Sequence, residues 1–239
     1  ESSKYLRAVD LLKPTNEEEK FVPLKFEETA DEKILAIMCT SGTTGSPKGT
    51  KISHQYFLNA SSMAPSSRET TKSACLSPLY WSTGFYPNIQ HAFTPNNVRV
   101  FSKELFSIEM VIKLVEDYEI TSFVMPPSHL IMLLDSHAFL SSNNKSLQSF
   151  LTGGSILSNV VRKKFESIFP DRQLAVPYGM TEVGISFTKP GEYKIEGAVG
   201  SIIFPNTQVK IVDDDGNALD KTKPGEVCAK TSFKFLVSI

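Results

Sequence analysis

Residues 107–127, SIEMVIKLVEDYEITSFVMPP, decide the fold class. Ser107 is a residue type that caps helices, because its hydroxyl can accept a bond from a free N–H of the first turn. Apolar residues follow at 108, 111, 112, 114 and 115, the spacing of one helical face, and predict a helix to Tyr118. Thr121 to Met125 then reads as a strand, stopped by Pro126-Pro127.

The same alternation runs outward in both directions. Towards the C-terminus, Leu130–Leu134 reads as helix and Leu147–Leu151 as strand. Ser158 reads as the cap of a helix to Ile168, and Leu174–Val176 as a strand. Towards the N-terminus, Ile34–Met38 reads as a buried strand and Thr50–Ser53 as extended, with Ser53 capping a helix to about Met63. Ala74–Ser77 is a short strand before Pro78, a helix lies near 86–93, and Val98–Phe101 is a strand. Strand and helix in turn predict an α/β protein with layered, mainly parallel sheets and flanking helices. Beyond Gly197 the pattern changes. Val209–Val212, a turn at Asp215-Gly216 and Glu226–Ala229 read as a β-hairpin, the start of a smaller β subdomain.

Composition sets bounds. The chain has 239 residues, 41% hydrophobic and 21% charged, with a net charge of -1. That balance offers no broad field for nucleic acid or membrane, so any phosphate must be bound by a local site. No apolar run reaches the roughly 20 residues of a membrane span, and no targeting signal is visible. Cys39, Cys75 and Cys228 show no metal spacing and read as buried free thiols of a reducing compartment.

The densest chemistry is CTSGTTGSPKGTKISHQ, residues 39–55. Backbone N–H groups of a glycine-rich turn can converge on a phosphate because no Cβ blocks the approach. Ser41, Thr43, Thr44 and Ser46 add hydroxyl donors, and Lys48 adds a charge-assisted bond. A Walker loop would need a second glycine at 47, where Pro47 stands, and Ser or Thr after Lys48, where Gly49 stands. The loop therefore holds phosphate by another geometry.

TSGTTGSPKG resembles the phosphate loop of adenylate-forming enzymes: acyl-CoA synthetases, 4-coumarate–CoA ligases, beetle luciferases and peptide-synthetase adenylation domains. LTGGS (151–155) and YGMTE (178–182) are similar to two further motifs of that family, in family order. GAVGSIIFPNTQVKIVD (197–213) and GEVCAK (225–230) resemble the start of its β subdomain. The similarity runs from about residue 24 to 236 and is nearest in flavour to the insect luciferase-like acyl-CoA synthetases. Singly, these stretches read as an aromatic in a core, a strand-to-helix turn and a surface charge; three in order read as a site.

The resemblance implies a ligase that activates a small-molecule carboxylic acid with ATP, giving an acyl-adenylate, and then passes the acyl group to CoA. It implies that Ser41, Gly42, Thr43, Thr44, Gly45 and Lys48 hold the β- and γ-phosphates. It implies Thr181 on the α-phosphate, Glu182 on Mg²⁺, Tyr178 and Gly179 against adenine, and Gly153, Gly154 and Ser155 lining the base pocket. Thr181, Glu182 and Lys48 would be the catalytic set. Trp81, Phe85 and His129 would border the acyl group. Trp81 stands where the family usually has His; an indole is larger and donates only, which points to a flat or long apolar acid, fatty or aromatic.

The implied organisation is a partial α/β subdomain with the phosphate loop at 1–75, an α/β subdomain with the acyl and adenine sites at 76–194, and a partial β subdomain at 195–239. The family's C-terminal domain, with its catalytic lysine, is expected beyond this chain, so the chain reads as a fragment that does not turn over alone. The alternative is a relative that binds nucleotide or fatty acid without turnover. The expected location is cytoplasmic or peroxisomal.

Overall fold

The structure, a computed structural model, describes residues 18–23, 25, 27–40, 48–61, 71–92, 97–187, 198–202, 207–220, 222–232 and 236. After a single 3-10 turn at Glu18–Lys20, the elements run β1 (Ile34–Thr40), β2 (Lys48–Ser53), α1 (His54–Ser61), β3 (Thr71–Cys75), α2 (Ser82–Ala92) and β4 (Asn97–Val100). Then come α3 (Ile108–Tyr118), β5 (Ser122–Met125), α4 (Pro127–Asp135), α5 (His137–Ser141), β6 (Ser149–Thr152), α6 (Asn159–Ile168) and β7 (Gln173–Ala175). Two hairpins follow, β8 (Tyr178–Met180) with β9 (Gly184–Phe187), and β10 (Gln208–Val212) with β11 (Glu226–Lys230).

The centre is a five-stranded, all-parallel sheet in the order β4-β3-β5-β6-β7. The chain enters at β3, steps to the β4 edge, then returns past β3 to lay down β5, β6 and β7. That reversal between β3 and β5 is a topological switch point, and ligands of such sheets bind outside the carboxyl ends of the strands.

The opening stretch folds as its pattern predicts. The Ser107 hydroxyl accepts from the Met110 N–H at 3.1 Å, and Met110, Val111, Leu114 and Val115 are the buried face of α3. Glu119 ends the helix in the left-handed region at φ 52, and its carboxylate takes Lys72 Nζ at 2.8 Å. β5 is covered on both faces, as a central parallel strand must be: Phe123, Val124 and Met125 are all buried. Phe150 on β6 meets Phe165 and Phe169 edge-on and stacked, with ring centroids at 5.2 and 6.0 Å. Ser158 caps α6 through Val161 N–H.

Helix α2 begins four residues earlier than its pattern predicts, because its sequence hides the start. Gly84 lies against the Pro78 carbonyl: a Cβ there would sit 2.1 Å from that oxygen, so only glycine fits. Pro87 sits inside the helix and cannot donate to the Thr83 carbonyl. Cys75 Sγ–H donates to it instead, at 3.6 Å.

Three expectations need correction. β1 is a strand but not a buried one: Met38 is its one buried residue, while Ile34, Leu35 and Ile37 face outward. It pairs with β2, antiparallel, in a separate two-stranded sheet; one face packs in a small cluster of Met38, Ile52, Tyr56, Phe57 and Tyr86, and Ile34, Leu35 and Ile37 lie outside that cluster. For the same reason Cys39 is exposed, and Cys75 and Cys228 are half-buried; all three are free. Finally, β3 hydrogen-bonds to β4 and β5, so the strand read at 74–77 begins at Thr71 and belongs to the central sheet.

The β10–β11 hairpin forms as read. The Asp213 carboxylate accepts from the N–H groups of Asp215 and Asn217 at 3.1 and 2.8 Å, and Gly216 takes the positive φ of the turn. Leu236 bridges to Lys51, bringing the C-terminal stretch beside β2.

Candidate functional site

The motif residues gather at the carboxyl edge of the central sheet. β6 ends at Thr152, and the next residues, Gly153, Gly154 and Ser155, turn the chain into α6. Gly153 is pressed against Pro177, whose Cγ would lie 3.1 Å from an added Cβ. Gly154 has φ +87 with open space where a Cβ would be, so glycine there serves the turn and leaves the opening clear. β7 ends at Ala175 and leads through Val176-Pro177 into Tyr178.

Between these two strand ends lies a cleft of about 410 Å³. Gly154, Ser155 and Ile156 form one wall and Pro177, Tyr178 and Gly179 another, with Arg162 and Val199 also lining it. Tyr178 is 48% exposed. The N-terminus of α6, at Ser158-Asn159, lines the same cleft, adding the partial positive charge of a helix start. Apolar walls, an aromatic face and a few polar edges suit a flat heteroaromatic group. Of the expected base-site residues, Gly154, Ser155, Tyr178 and Gly179 share this cleft; Gly153 lies behind it as support.

Thr181 and Glu182 sit in the turn between β8 and β9, half-buried. The turn is tied to the first hairpin's helix: Tyr56 Oη donates to the Thr181 carbonyl at 3.1 Å. Burial pushes the Tyr56 phenol well above its ordinary range, and the Glu182 charge pushes the same way. Tyr56 itself packs on Tyr86 of α2, with ring centroids at 5.4 Å, and Phe57 lies near Phe85 and Tyr86. Lys48 is the first residue of β2, exposed, directly after the glycine-rich stretch. Ser41, Gly42, Thr43, Thr44 and Gly45 lie outside the described residues.

Trp81, Phe85 and His129 make separate contacts. Trp81 is 45% exposed and meets Tyr80 edge-on. Phe85 packs with Phe57 and Tyr86. His129 stacks flat on Phe106 at 3.7 Å, and burial holds its imidazole below the ordinary value. The sequence reading missed Tyr56 and Tyr86, although both fall on amphipathic stretches beside motif residues.

Among the described residues no group of three His, Cys, Asp or Glu could hold a metal on its own. Glu182 is a single half-buried carboxylate, a donor set that fits a magnesium ion arriving with phosphate oxygens. No helix of the described residues is long and apolar enough to cross a membrane.

Comparison with known proteins gives the family. A family model described as AMP-binding enzyme matches residues 4–236. Acyl-CoA synthetase 7 of Caenorhabditis elegans is 27% identical over 213 residues, which is 82% of this chain and 38% of that protein. The luciferase-like enzyme of the nonluminescent mealworm Zophobas morio superposes with a TM-score of 0.79 at 26% identity, over 93% of this chain and 53% of the other. An o-succinylbenzoate coenzyme A synthetase of Bacillus subtilis, solved with ATP and magnesium ion, superposes at 0.70 with 23% identity, over 84% and 42% of the two chains. At that identity the likeness speaks for the fold. The chain thus spans between two-fifths and about half of the length of these relatives.

Proposed function

Because the chain belongs to the AMP-binding enzyme family of adenylate-forming ligases, we propose that it carries the nucleotide and acid sites of an enzyme that activates a carboxylic acid with ATP and passes the acyl group to CoA. The observation that carries this reading is the cleft at the carboxyl edge, with Gly154 and Tyr178 in its walls and the Thr181-Glu182 turn beside it. In the first step a carboxylate oxygen attacks the α-phosphorus, the bond to the bridging oxygen breaks, and pyrophosphate leaves. In the second a thiolate sulfur attacks the acyl carbon and AMP leaves.

Each residue has one task in this proposal. Tyr178 and Gly154 hold adenine between ring and backbone. The Thr181 hydroxyl donates to the α-phosphate. Lys48 and the glycine-rich stretch neutralise the β- and γ-phosphates, where positioning and charge compensation supply most of the rate. When bound, magnesium draws charge from the phosphate oxygens, and Glu182 is the residue that would hold it. Trp81, by the family resemblance, would border the acid.

The test is nucleotide binding and pyrophosphate release. The chain is titrated with AMP and ATP, and pyrophosphate is measured with a panel of carboxylic acids and CoA. Binding of both nucleotides is the result expected of this reading. Binding without pyrophosphate release by the chain or by any longer form of the protein makes it a nucleotide-binding relative. Absence of AMP and ATP binding contradicts the reading outright.

A further inference from the structure

Resting on that reading of the site, we infer that Tyr56 is a positioning residue: its buried hydroxyl holds the Thr181-Glu182 turn against the element that carries Lys48, so that both sides of the bound phosphates keep one geometry. Thr181 and Glu182 are the two middle residues of the turn that joins β8 to β9, which is closed by the Val183 N–H donating to the Met180 carbonyl at 3.2 Å. That bond holds the ends of the turn. The carbonyl of the peptide between Thr181 and Glu182 takes the Tyr56 hydroxyl instead, at 3.1 Å. The orientation of the middle peptide is what distinguishes one turn type from another. Its rotation would swing both side chains that the proposed function uses, and the Tyr56 bond opposes it.

Tyr56 is itself fixed from several sides. Its N–H donates to the Ser53 hydroxyl at 3.1 Å. Its ring packs on Tyr86 of α2, with centroids at 5.4 Å, and its hydroxyl has the Tyr86 hydroxyl as a second polar partner. The two residues are 4% and 6% exposed. Phenylalanine would fill the same space in this aromatic cluster, and a buried hydroxyl is costly unless paired. What the phenol adds is therefore its hydrogen bonding, and one of its bonds ends on the turn.

The bond crosses 125 residues of sequence. On one side, α1 follows β2 without a break and Lys48 opens that strand, so Tyr56 and Lys48 belong to one continuous piece of strand and helix. On the other side stand Thr181 and Glu182, and the Glu182 charge is felt at the Tyr56 phenol. A single hydroxyl thus joins the two groups of residues that the proposed function assigns to the phosphates and magnesium.

The experiment measures binding of adenosine, AMP and ATP by calorimetry to the 239-residue chain and its variants, with ATP at a series of magnesium concentrations. Adenosine reports the base cleft alone, whereas ATP with magnesium reports the turn and Lys48 together. Tyr56→Phe should weaken ATP binding by about five- to tenfold and raise the magnesium concentration needed for half-saturation, with adenosine affinity unchanged. Tyr86→Phe removes the hydroxyl behind Tyr56 and should act the same way by a smaller factor; it decides the matter if Tyr56→Phe folds poorly. Ser107→Ala removes the cap of α3 and should lower the melting temperature with ATP affinity unchanged, which separates positioning from lost stability. Unchanged ATP and magnesium responses in the tyrosine variants overturn the inference and leave the nucleotide reading standing. Equal weakening of adenosine and ATP, or the same ATP loss in Ser107→Ala, also overturns it. Failure of adenosine, AMP and ATP to bind the natural chain overturns both.

Discussion

In the five-stranded sheet Phe123, Met125 and Phe150 are at most 1% exposed, whereas in the β1–β2 hairpin Ile34, Leu35 and Ile37 are 42, 36 and 55% exposed. In the proposed function the two regions carry two sides of one site. The sheet supplies the cleft wall, with strand ends locked by helices on both faces. The hairpin carries Lys48, and it is held to the rest by the α1 aromatic contacts and by the Tyr56–Thr181 bond. On that proposal the base side has a fixed wall and the phosphate side rides on a lightly packed element. The stability of the two sides should therefore separate under mutation.

The largest effect is expected in the sheet. Phe150→Ala opens a hole among Phe165, Phe169 and Phe123, and should cost about 3–5 kcal/mol in urea unfolding. Leu35→Ala on the exposed strand should change stability by less than about 0.5 kcal/mol. Equal losses at the two positions would break the comparison.

Next is Lys48→Ala. A charge-assisted bond is worth about 1.5–3 kcal/mol, so ATP affinity should fall by about tenfold or more while AMP affinity and the melting temperature hold. An ATP affinity that does not move removes Lys48 from the site. Tyr56→Phe should follow, at about 1 kcal/mol for one hydrogen bond. Its signature is local: faster amide exchange in α1 and at 181–183, with β5 and β6 unchanged. Uniform acceleration would mean that the hairpin is bound into the sheet's core.

The smallest effect concerns pH. Burial holds His129 below the ordinary histidine value, so the folded chain refuses a proton that the unfolded chain takes up near pH 6.5. Stability from this group is complete above that pH and declines as pH falls below it. Asp213 and Glu119, held low by their hydrogen bonds, are shifted in the same direction and also lose their contribution on acidification, but only below about pH 4. Melting temperatures between pH 7.5 and 5.5 should fall less in His129→Gln than in the natural chain. Parallel slopes would mean that His129 titrates freely.

The sheet was legible in the sequence because its signals are local. Ser107, Ser53 and Ser158 cap helices where expected, and Pro126-Pro127 and Pro78 stand just beyond strands. The start of α2 was not legible, because Gly84 and Pro87 act through contacts with Pro78 and Cys75 that only the fold creates. β1 carries the composition of a buried strand, and composition does not say whether a partner covers it. LTGGS and YGMTE stood out in the sequence as a pair, and Gly154 and Ser155 of the first and Tyr178 and Gly179 of the second line one cleft. Tyr56 was not legible, since an aromatic residue on an amphipathic helix reads as core until a neighbouring loop gives its hydroxyl a role.

Hydrogen–deuterium exchange with and without AMP tests the central claim most directly. If adenine sits between Gly154 and Tyr178, added AMP should slow exchange at 153–159 and 176–182, while β3, β4 and the β10–β11 hairpin stay as they were. Protection absent from both segments, or confined to the hairpin at 208–230, would place the nucleotide elsewhere and contradict the account.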